Sequence, residues 1–229
     1  MVIDAWMQHP GQSWLDNAMF DLLQRWKPGP WSQSAQPIEK TLEAMDGAGV
    51  SYHEDDQRIA SVRRGSRLPG SARAALAVGA AARRPPLQPA VRVLLRPRRH
   101  VLHSGRHAGR LRASDPGRPI PYLDNVAQEF PDLRIAGGHI GVPWLDEMIS
   151  LATMYPNVYI ETLAVACARY PTGLLEYMKE HGRRKVLFGS SHPFWPAADG
   201  LAGIDQLDRD AQTKQAFLHD NAARVFSLS

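Results

Sequence analysis

The sequence predicts a parallel α/β protein, and we expect a (β/α)8 barrel of the TIM type that is incomplete or distorted. Three predicted strands begin near Leu133, Val158 and Lys185, which are 25 and 27 residues apart. This spacing is typical of strand–helix units in a parallel sheet. A closed barrel takes about 250 residues. The chain has 229, and 58 of these form an atypical segment, so we expect fewer than eight units.

The first fifty residues predict one strand and two helices. Residues 2–6 have the apolar character of a short buried strand. Residues 17–26 space their apolar side chains by three or four positions, as an amphipathic helix does. Residues 37–49 predict a second helix, because proline is favoured at a helix start and glycine at its end.

The C-terminal half predicts helices that alternate with strands. Apolar side chains recur on one helical face in three segments. Pro131 ends the first of these helices, and Gly182 is expected to be the C-cap of the third. The predicted helices cover residues 121–130, 144–155 and 172–181, the predicted strands cover 133–137, 158–162 and 185–189, and the remainder is helical to residue 226.

Composition describes an ordinary soluble globular chain. Apolar residues make up 44% and charged residues 22%, which predicts a single domain over residues 1–229. The lone cysteine, Cys167, forms no internal disulfide, so we expect a cytoplasmic protein. The first residues lack the features of a secretory signal, and no apolar run is long enough to predict a membrane partner.

Residues 57–114 differ in kind from the rest of the chain. They contain fourteen Arg and no Lys, Asp or Glu, whereas the other residues hold 13 Lys and Arg against all 23 acids. Arg, Ala, Pro and Gly dominate, and the prolines interrupt both helix and strand patterns. We therefore predict an irregular segment within the barrel domain.

Three interpretations of this basic segment are open. The one we favour is that it is translated out of frame from a GC-rich gene, which yields mainly these four residue types. The second is a solvated basic linker. The third is an arm that binds nucleic acid through phosphate contacts. Because the segment contains no aromatic residue for base stacking, nucleic acid is the partner that we favour least.

Two glycine-containing turns follow predicted strands, where parallel barrels carry their catalytic groups. In GGHIG (137–141) the glycines allow a tight turn, and His139 is the group that transfers protons near neutral pH. In GSSHP (189–193) the turn presents Ser191 and His192. We expect both turns to face a small-molecule site, and the alternative for each is a structural turn.

Three patterns in a fixed order carry a resemblance to a known family. They are FPDLRIAGGHIGVPWLDE, PNVYIET and KVLFGSSHP. This order resembles the amidohydrolase-related family that contains aminocarboxymuconate-semialdehyde decarboxylase. The resemblance covers residues 106–226 and, more weakly, 1–50. It implies a distorted (β/α)8 barrel that uses a metal-activated water to hydrolyse or decarboxylate a small carboxylated or aromatic substrate.

The resemblance also implies roles for single residues. His139 matches the acid–base histidine of the family, and His107 matches a metal ligand in the middle of the barrel. The two metal-binding histidines of the first strand fall on Trp6 and Gln8, and the metal-binding aspartate falls on Ser191. We expect Trp6 and Gln8 to bind metal poorly.

Substrate contacts are expected from Arg118, Trp144 and His192. A catalytic zinc generally has three protein ligands, and the retained ligands fall short of three, so Zn or Mn as a cofactor is in question. The leading hypothesis is a metal-dependent hydrolase or decarboxylase. The alternatives are a metal-free relative that acts as a binding scaffold, and nucleic-acid binding through the basic segment. An incomplete barrel exposes strand edges, which predicts a homo-oligomer.

Overall fold

The computed structural model describes residues 2–7, 34–51, 100–104 and 119–226. In these ranges it contains six strands and seven α-helices. The strands are β1 (Val2–Ile3), β2 (Val50–Ser51), β3 (His100–Ser104), β4 (Arg134–Gly138), β5 (Val158–Glu161) and β6 (Val186–Leu187).

The α-helices lie between and after these strands. Within the described ranges, none of them is both long and apolar enough to cross a lipid bilayer. The helices are α1 (Ile38–Gly47), α2 (Pro119–Glu129), α3 (Leu145–Met154), α4 (Thr172–Lys179), α5 (Ala197–Leu201), α6 (Ala211–Gln215) and α7 (Asn221–Phe226).

All described strand pairs are parallel. One sheet has the order β3-β4-β5-β6, and β1 pairs with β2 in a second sheet. The two sheets meet where the segment after β1 runs beside the segment after β6. There the Ala5 amide donates to the Phe188 carbonyl at 2.8 Å, and Met7 forms a parallel bridge with His192. The last described strand therefore adjoins the first, which is the seam that a barrel requires.

The side chains of β5 alternate between two environments. Val158 and Ile160 belong to an apolar cluster with the side chains of α2, α3 and α4, so they face the surrounding helices. Tyr159 belongs instead to a cluster with Ala136 and Leu187 of the neighbouring strands. Because side chains alternate along a strand, Glu161 shares the inward face with Tyr159.

Helix α7 closes the N-terminal end of the strands. The Arg134 guanidinium donates to the carbonyls of Arg224 and Val225 in this helix. Asn221 donates from Nδ2 to the carbonyls of Arg183 and Val186, at 2.8 Å each. These bonds satisfy backbone groups at the strand starts and fix the last helix under the sheet.

The structure corrects two expectations about local structure. Residues 100–104 were expected to be irregular as part of the basic segment, but they form β3, which pairs with β4 along its full length. Gly182 is not the C-cap of α4: the cap is Glu180, and a Cβ at Gly182 would lie 2.7 Å from the Tyr177 carbonyl oxygen. The Gly182 amide donates to this same carbonyl at 2.6 Å, so the glycine helps to end the helix from two positions beyond the cap and packs closely against Tyr177.

Other expectations hold with shifted ends or lie elsewhere in the chain. The helix predicted at 37–49 is Ile38–Gly47, and that predicted at 144–155 is Leu145–Met154. The region after β6 is helical but broken, with a 3-10 turn at Ile204–Gln206 between α5 and α6. The helix predicted at 17–26 and most of the basic segment lie outside the described residues.

Candidate active site

The C-terminal ends of β4, β5 and β6 converge with the segment after β1. Three kinds of contact join them. His139, after β4, hydrogen-bonds the loop after β5. The Ala164 amide of that loop donates to the Ser190 carbonyl after β6 at 3.2 Å. Ser190 in turn donates to Asp4, after β1. In parallel barrels this edge is the one that carries active sites.

His139 is held in one orientation by its backbone and its ring. Its φ of 54° lies in the left-handed region, which is uncommon for a residue with a side chain. Such backbone strain persists mainly at functional sites. The Nδ1 atom lies 3.0 Å from the carbonyl oxygen of Leu163. A carbonyl only accepts, so Nδ1 carries the hydrogen of the neutral ring.

The turn after β6 is fixed by hydrogen bonds from several elements. Ser190 donates from its amide to Asp4 Oδ1 at 3.0 Å and from its hydroxyl to Asp4 Oδ2. The Gly189 amide donates to Thr162 Oγ1 at 3.3 Å. The Ser191 amide donates to the Trp6 carbonyl at 2.9 Å. These bonds place the turn rigidly between β5 and the segment after β1.

Asp4 is the acceptor around which this turn is organised. Besides Ser190, the Trp6 amide donates to its Oδ1 at 3.1 Å. Burial raises the pKa of the Asp4 carboxyl from 3.8 to about 6, although the bonds from Ser190 and Trp6 oppose that shift. The carboxyl is thus largely ionised at neutral pH and carries a negative charge inside the site.

Glu161 has the opposite environment. Its side chain is 0% exposed, and no described residue forms a hydrogen bond of good geometry with either carboxyl oxygen. Burial raises the pKa of Glu161 well above 4.5, the charge of Asp4 raises it further, and the nearby Leu163 amide opposes the shift. A buried carboxylate without a strong partner is unfavourable, so this environment favours the neutral form of the Glu161 carboxyl.

Gly189 provides the space that the Glu161 carboxyl occupies. A Cβ at Gly189 would overlap Oε1 of Glu161 and lie 2.6 Å from its Cδ. The same position is 3.3 Å from Cβ of Trp6. The carboxyl therefore sits between the ends of β5 and β6, against the segment after β1.

The residues expected from the sequence divide into three groups. Trp6 and Ser191 are brought into contact by the 2.9 Å bond from the Ser191 amide to the Trp6 carbonyl, and His192 adjoins them through its bridge to Met7. Trp144 precedes α3 and packs partly against the outer apolar cluster. The predicted residues outside the described ranges are Gln8, His107 and Arg118.

Glu161 is the residue of this edge that sequence reasoning missed. The predicted strand at 158–162 contained Glu161, so its position at the strand end, where functional groups collect, was overlooked. Asp4 follows β1 in the same way. An acidic residue at the end of an apolar strand is a signal that the sequence already carried.

A depression of about 610 Å³ lies at the other end of the sheet. It is lined by Tyr159, Lys185 and Arg224 among others. Nζ of Lys185 lies 5.1 Å from the centre of the Tyr159 ring, and it donates to three backbone carbonyls. This is the N-terminal end, which in barrels contributes stability, so we do not assign the active site there.

The described residues do not fit a catalytic metal ion. A zinc site generally needs three His, Cys, Asp or Glu ligands, and no group of three or more such side chains in the described ranges is arranged to hold a metal. At the edge where the resemblance puts the metal, the side chains are Trp6 and Ser191, and Asp4 is engaged with Ser190. Within the described ranges the donor set therefore falls short of the metal site that the resemblance implies, and the expected positions Gln8 and His107 lie outside these ranges.

Solved structures of other proteins share this fold. An uncharacterised TIM-barrel protein from Bordetella bronchiseptica superposes with a TM-score of 0.68 at 16% identity, covering 99% of this chain and 98% of that one. For 5-carboxyvanillate decarboxylase from Sphingomonas paucimobilis the TM-score is 0.60 at 15% identity, covering 100% and 99%.

The same enzyme from Novosphingobium aromaticivorans, solved with manganese and a nitrobenzoic acid, gives a TM-score of 0.56 at 15% identity, covering 99% of this chain and 95% of that one. At these identities the likeness establishes the fold. A search of curated proteins found no match.

The fold and the placement of polar groups define a TIM-barrel protein with a candidate site at the C-terminal edge of its strands. The amidohydrolase family model matches residues 100–228, which is more than half of the 229 residues. The chain belongs to the amidohydrolase family.

Proposed function

We propose that this chain is an enzyme that hydrolyses or decarboxylates a small carboxylated or aromatic molecule, with His139 as its acid–base residue. The observation that carries the proposal is the fixed His139 ring. Its Nδ1–H is committed to the Leu163 carbonyl, so its other nitrogen is the one that exchanges protons at the catalytic edge. A positioned histidine is the side chain that most often transfers protons in enzymes.

The fold and the family support the same class of reaction. The chain is an amidohydrolase family member, and two structures with the same fold are decarboxylases of a carboxylated aromatic compound. A bound divalent ion, Zn or Mn, is the part of the hypothesis that receives least support, because Trp6 and Ser191 stand where the resemblance puts ligands.

The donor set favours a second candidate, a metal-free relative that binds a ligand without turning it over. Trp6 and Ser191 are the observation behind it, since neither side chain replaces a histidine or aspartate ligand. The two candidates differ in their need for metal and in turnover. His139 is placed identically in both.

The experiment is a decarboxylation and hydrolysis assay on a panel of hydroxylated benzoic acids and their amides, with metal content measured in the same preparation. We expect turnover that falls by about 10²–10⁴-fold in His139→Asn. Asparagine keeps a donor for the Leu163 carbonyl, so the fold is preserved. The matched control is His181→Asn, which changes an exposed histidine outside the site.

Each outcome separates the candidates. Turnover that survives a chelator supports the enzyme without metal. Turnover that a chelator abolishes and manganese restores supports the metal-dependent form. Binding of a benzoic acid with no turnover favours the scaffold, and wild-type turnover in His139→Asn would remove the proposed role of His139.

A further inference from the structure

Glu161 is the feature of the catalytic edge that the proposed role of His139 leaves unexplained. It is fully buried, it faces the inside of the barrel, and among the described residues only the nearby Leu163 amide approaches its carboxyl oxygens as a donor, without good hydrogen-bond geometry. Asp4, at the same edge, accepts three hydrogen bonds from Ser190 and Trp6. The two carboxyls at this edge therefore differ in how many hydrogen bonds they accept.

We propose that Glu161 is a substrate-binding residue of the candidate site, and that its buried carboxyl donates a hydrogen bond to an anionic oxygen of the substrate, such as a carboxylate. The proposal rests on the substrate class of the proposed function. It adds a residue that neither the resemblance nor the sequence patterns assigned.

The first support is position. Glu161 ends β5 on its inward face, and Gly189 of the neighbouring turn leaves room for the carboxyl, since any side chain at Gly189 would overlap it. The loop that follows β5 carries the Leu163 carbonyl that orients His139. The carboxyl and the histidine therefore depend on the same short stretch of chain.

The second support is charge. The titratable groups that surround Glu161 in the described residues are Asp4 from the segment after β1, and Tyr170, with Cys167 beside it, from the segment after β5. None of these is a cation. Two adjacent buried carboxylates cannot both ionise readily, so one of them holds a proton. Asp4 accepts three hydrogen bonds from Ser190 and Trp6, whereas Glu161 has only the nearby Leu163 amide, so the proton is held more favourably by Glu161.

The third support is the donor that this proton creates. A protonated carboxyl has one O–H to donate, and a buried donor without a partner is unfavourable by the full desolvation of that group. A neutral acid held in an apolar site is a known way to bind an oxyanion. An anionic oxygen entering from the C-terminal end would satisfy the O–H, whereas an ionised Glu161 would repel it.

The experiment measures the affinity of the full chain for benzoate by calorimetry between about pH 5 and pH 9, with neutral benzamide as a second probe. We expect benzoate affinity to fall as pH rises through the ionisation of Glu161. In Glu161→Gln, which keeps a donor and cannot ionise, affinity should vary much less with pH. In Glu161→Met, which has no donor, affinity should fall about tenfold or more at every pH.

Glu176→Gln is the matched control, because it removes a carboxyl from the exposed face of α4, and it should bind benzoate as the wild type does. Benzamide binding should not follow the ionisation of Glu161. Wild-type benzoate affinity in Glu161→Met, or no benzoate binding by the wild type, would overturn the proposal.

If Glu161→Met does not fold, a second measurement on the wild type tests the proposal. The infrared spectrum of the wild type at pH 7 should contain the band of a protonated carboxyl, which Glu161→Gln loses and Glu176→Gln keeps. A wild-type spectrum without that band would also overturn the proposal.

Turnover distinguishes this inference from the proposed function. Benzoate binding with the expected dependence on Glu161, but without turnover of any hydroxylated benzoic acid, would leave the inference standing and remove the enzyme. Turnover that is unchanged in Glu161→Met would support the enzyme and overturn the inference about Glu161.

Discussion

The Nδ1 atom of His139 lies 3.0 Å from the carbonyl oxygen of Leu163, two residues beyond Glu161 in the chain. This bond joins the turn after β4 to the loop after β5. It fixes both the ring orientation and the tautomer, since the nitrogen that faces a carbonyl must carry the hydrogen. The orientation of the His139 ring is thus set by backbone geometry.

This bond predicts the tautomer of His139. In ¹⁵N NMR spectra of the neutral imidazoles, His139 should carry its hydrogen on Nδ1. The exposed ring of His181 serves as the internal reference, assigned through His181→Asn. A spectrum with the His139 hydrogen on Nε2 would contradict the bond and the proposed orientation.

Gly189→Ala should destabilise the chain. The added methyl would overlap Oε1 of Glu161 and lie 3.3 Å from Cβ of Trp6, and overpacking of this kind costs about 1–3 kcal/mol of unfolding free energy. The measurement is urea unfolding. Gly173→Ala is the control, because its nearest neighbour, a Leu145 methyl, is 3.8 Å away.

The cause of that loss can be checked in the Glu161→Ala background. Removing the carboxyl opens the space that the new methyl needs, so Gly189→Ala should cost less there, with a coupling of about 0.5–3 kcal/mol. Equal losses in the two backgrounds would show that Glu161 is not the obstacle.

Glu161 predicts a loss of stability as pH rises. Its folded pKa lies well above the unfolded value near 4.5, mainly because of burial. Below pH 4.5 both states hold the proton, and above it the unfolded chain releases the proton first, so unfolding becomes more favourable until the folded pKa is passed. Glu161→Gln cannot ionise, so the difference between its unfolding free energy and that of the wild type should increase in favour of the variant as pH rises.

Urea unfolding of both chains at three pH values between about 4.5 and 8 measures this gain. Asp4 acts in the same direction between 3.8 and about 6, and because it is present in both chains its effect largely cancels. A difference that stays constant with pH would mean that Glu161 ionises normally in the folded chain.

Asn157→Ala should also destabilise the chain. The buried Nδ2 of Asn157 donates to the carbonyls of Ala127, Phe130 and Leu133, at 3.3, 3.1 and 2.9 Å. These carbonyls belong to the end of α2 and the connection to β4. Removing their donor should lower the free energy of unfolding by about 1–3 kcal/mol. Urea unfolding measures the effect, and Gln206→Ala, at an exposed position, is the control. Equal unfolding midpoints for the two variants would count against a stabilising role of the Asn157 hydrogen bonds.

The C-terminal half of the fold was predictable because its signals are local. Period-three spacing marks α3 and α4, and apolar runs bounded by turn residues mark β4, β5 and β6. His139 was found through the glycines before it and its position after a strand. The short β3 was hidden, because the composition of residues 57–114 concealed a strand of only five residues, His100–Ser104, of which just two are apolar.

The Asp4–Ser190 contact was not predictable in this way. The two residues are 186 positions apart, and no periodicity links segments at that distance. Glu161 was missed for a different reason: whether a carboxyl at a strand end is solvated or buried without partners depends on Gly189 and Asp4, which come from other strands. Local patterns located the edge, but its electrostatics arise from tertiary contacts.

The seam between the two ends of the chain has a consequence for biosynthesis. Ala5 and Asp4 bond to Phe188 and Ser190, so the segment after β1 cannot complete its hydrogen bonds until residue 190 has left the ribosome. Contacts of such long sequence separation slow folding. The nascent N-terminal strand must wait with an unpaired edge that invites association with other chains, so expression at a low rate or with a chaperone that shields this segment should raise the yield of folded protein.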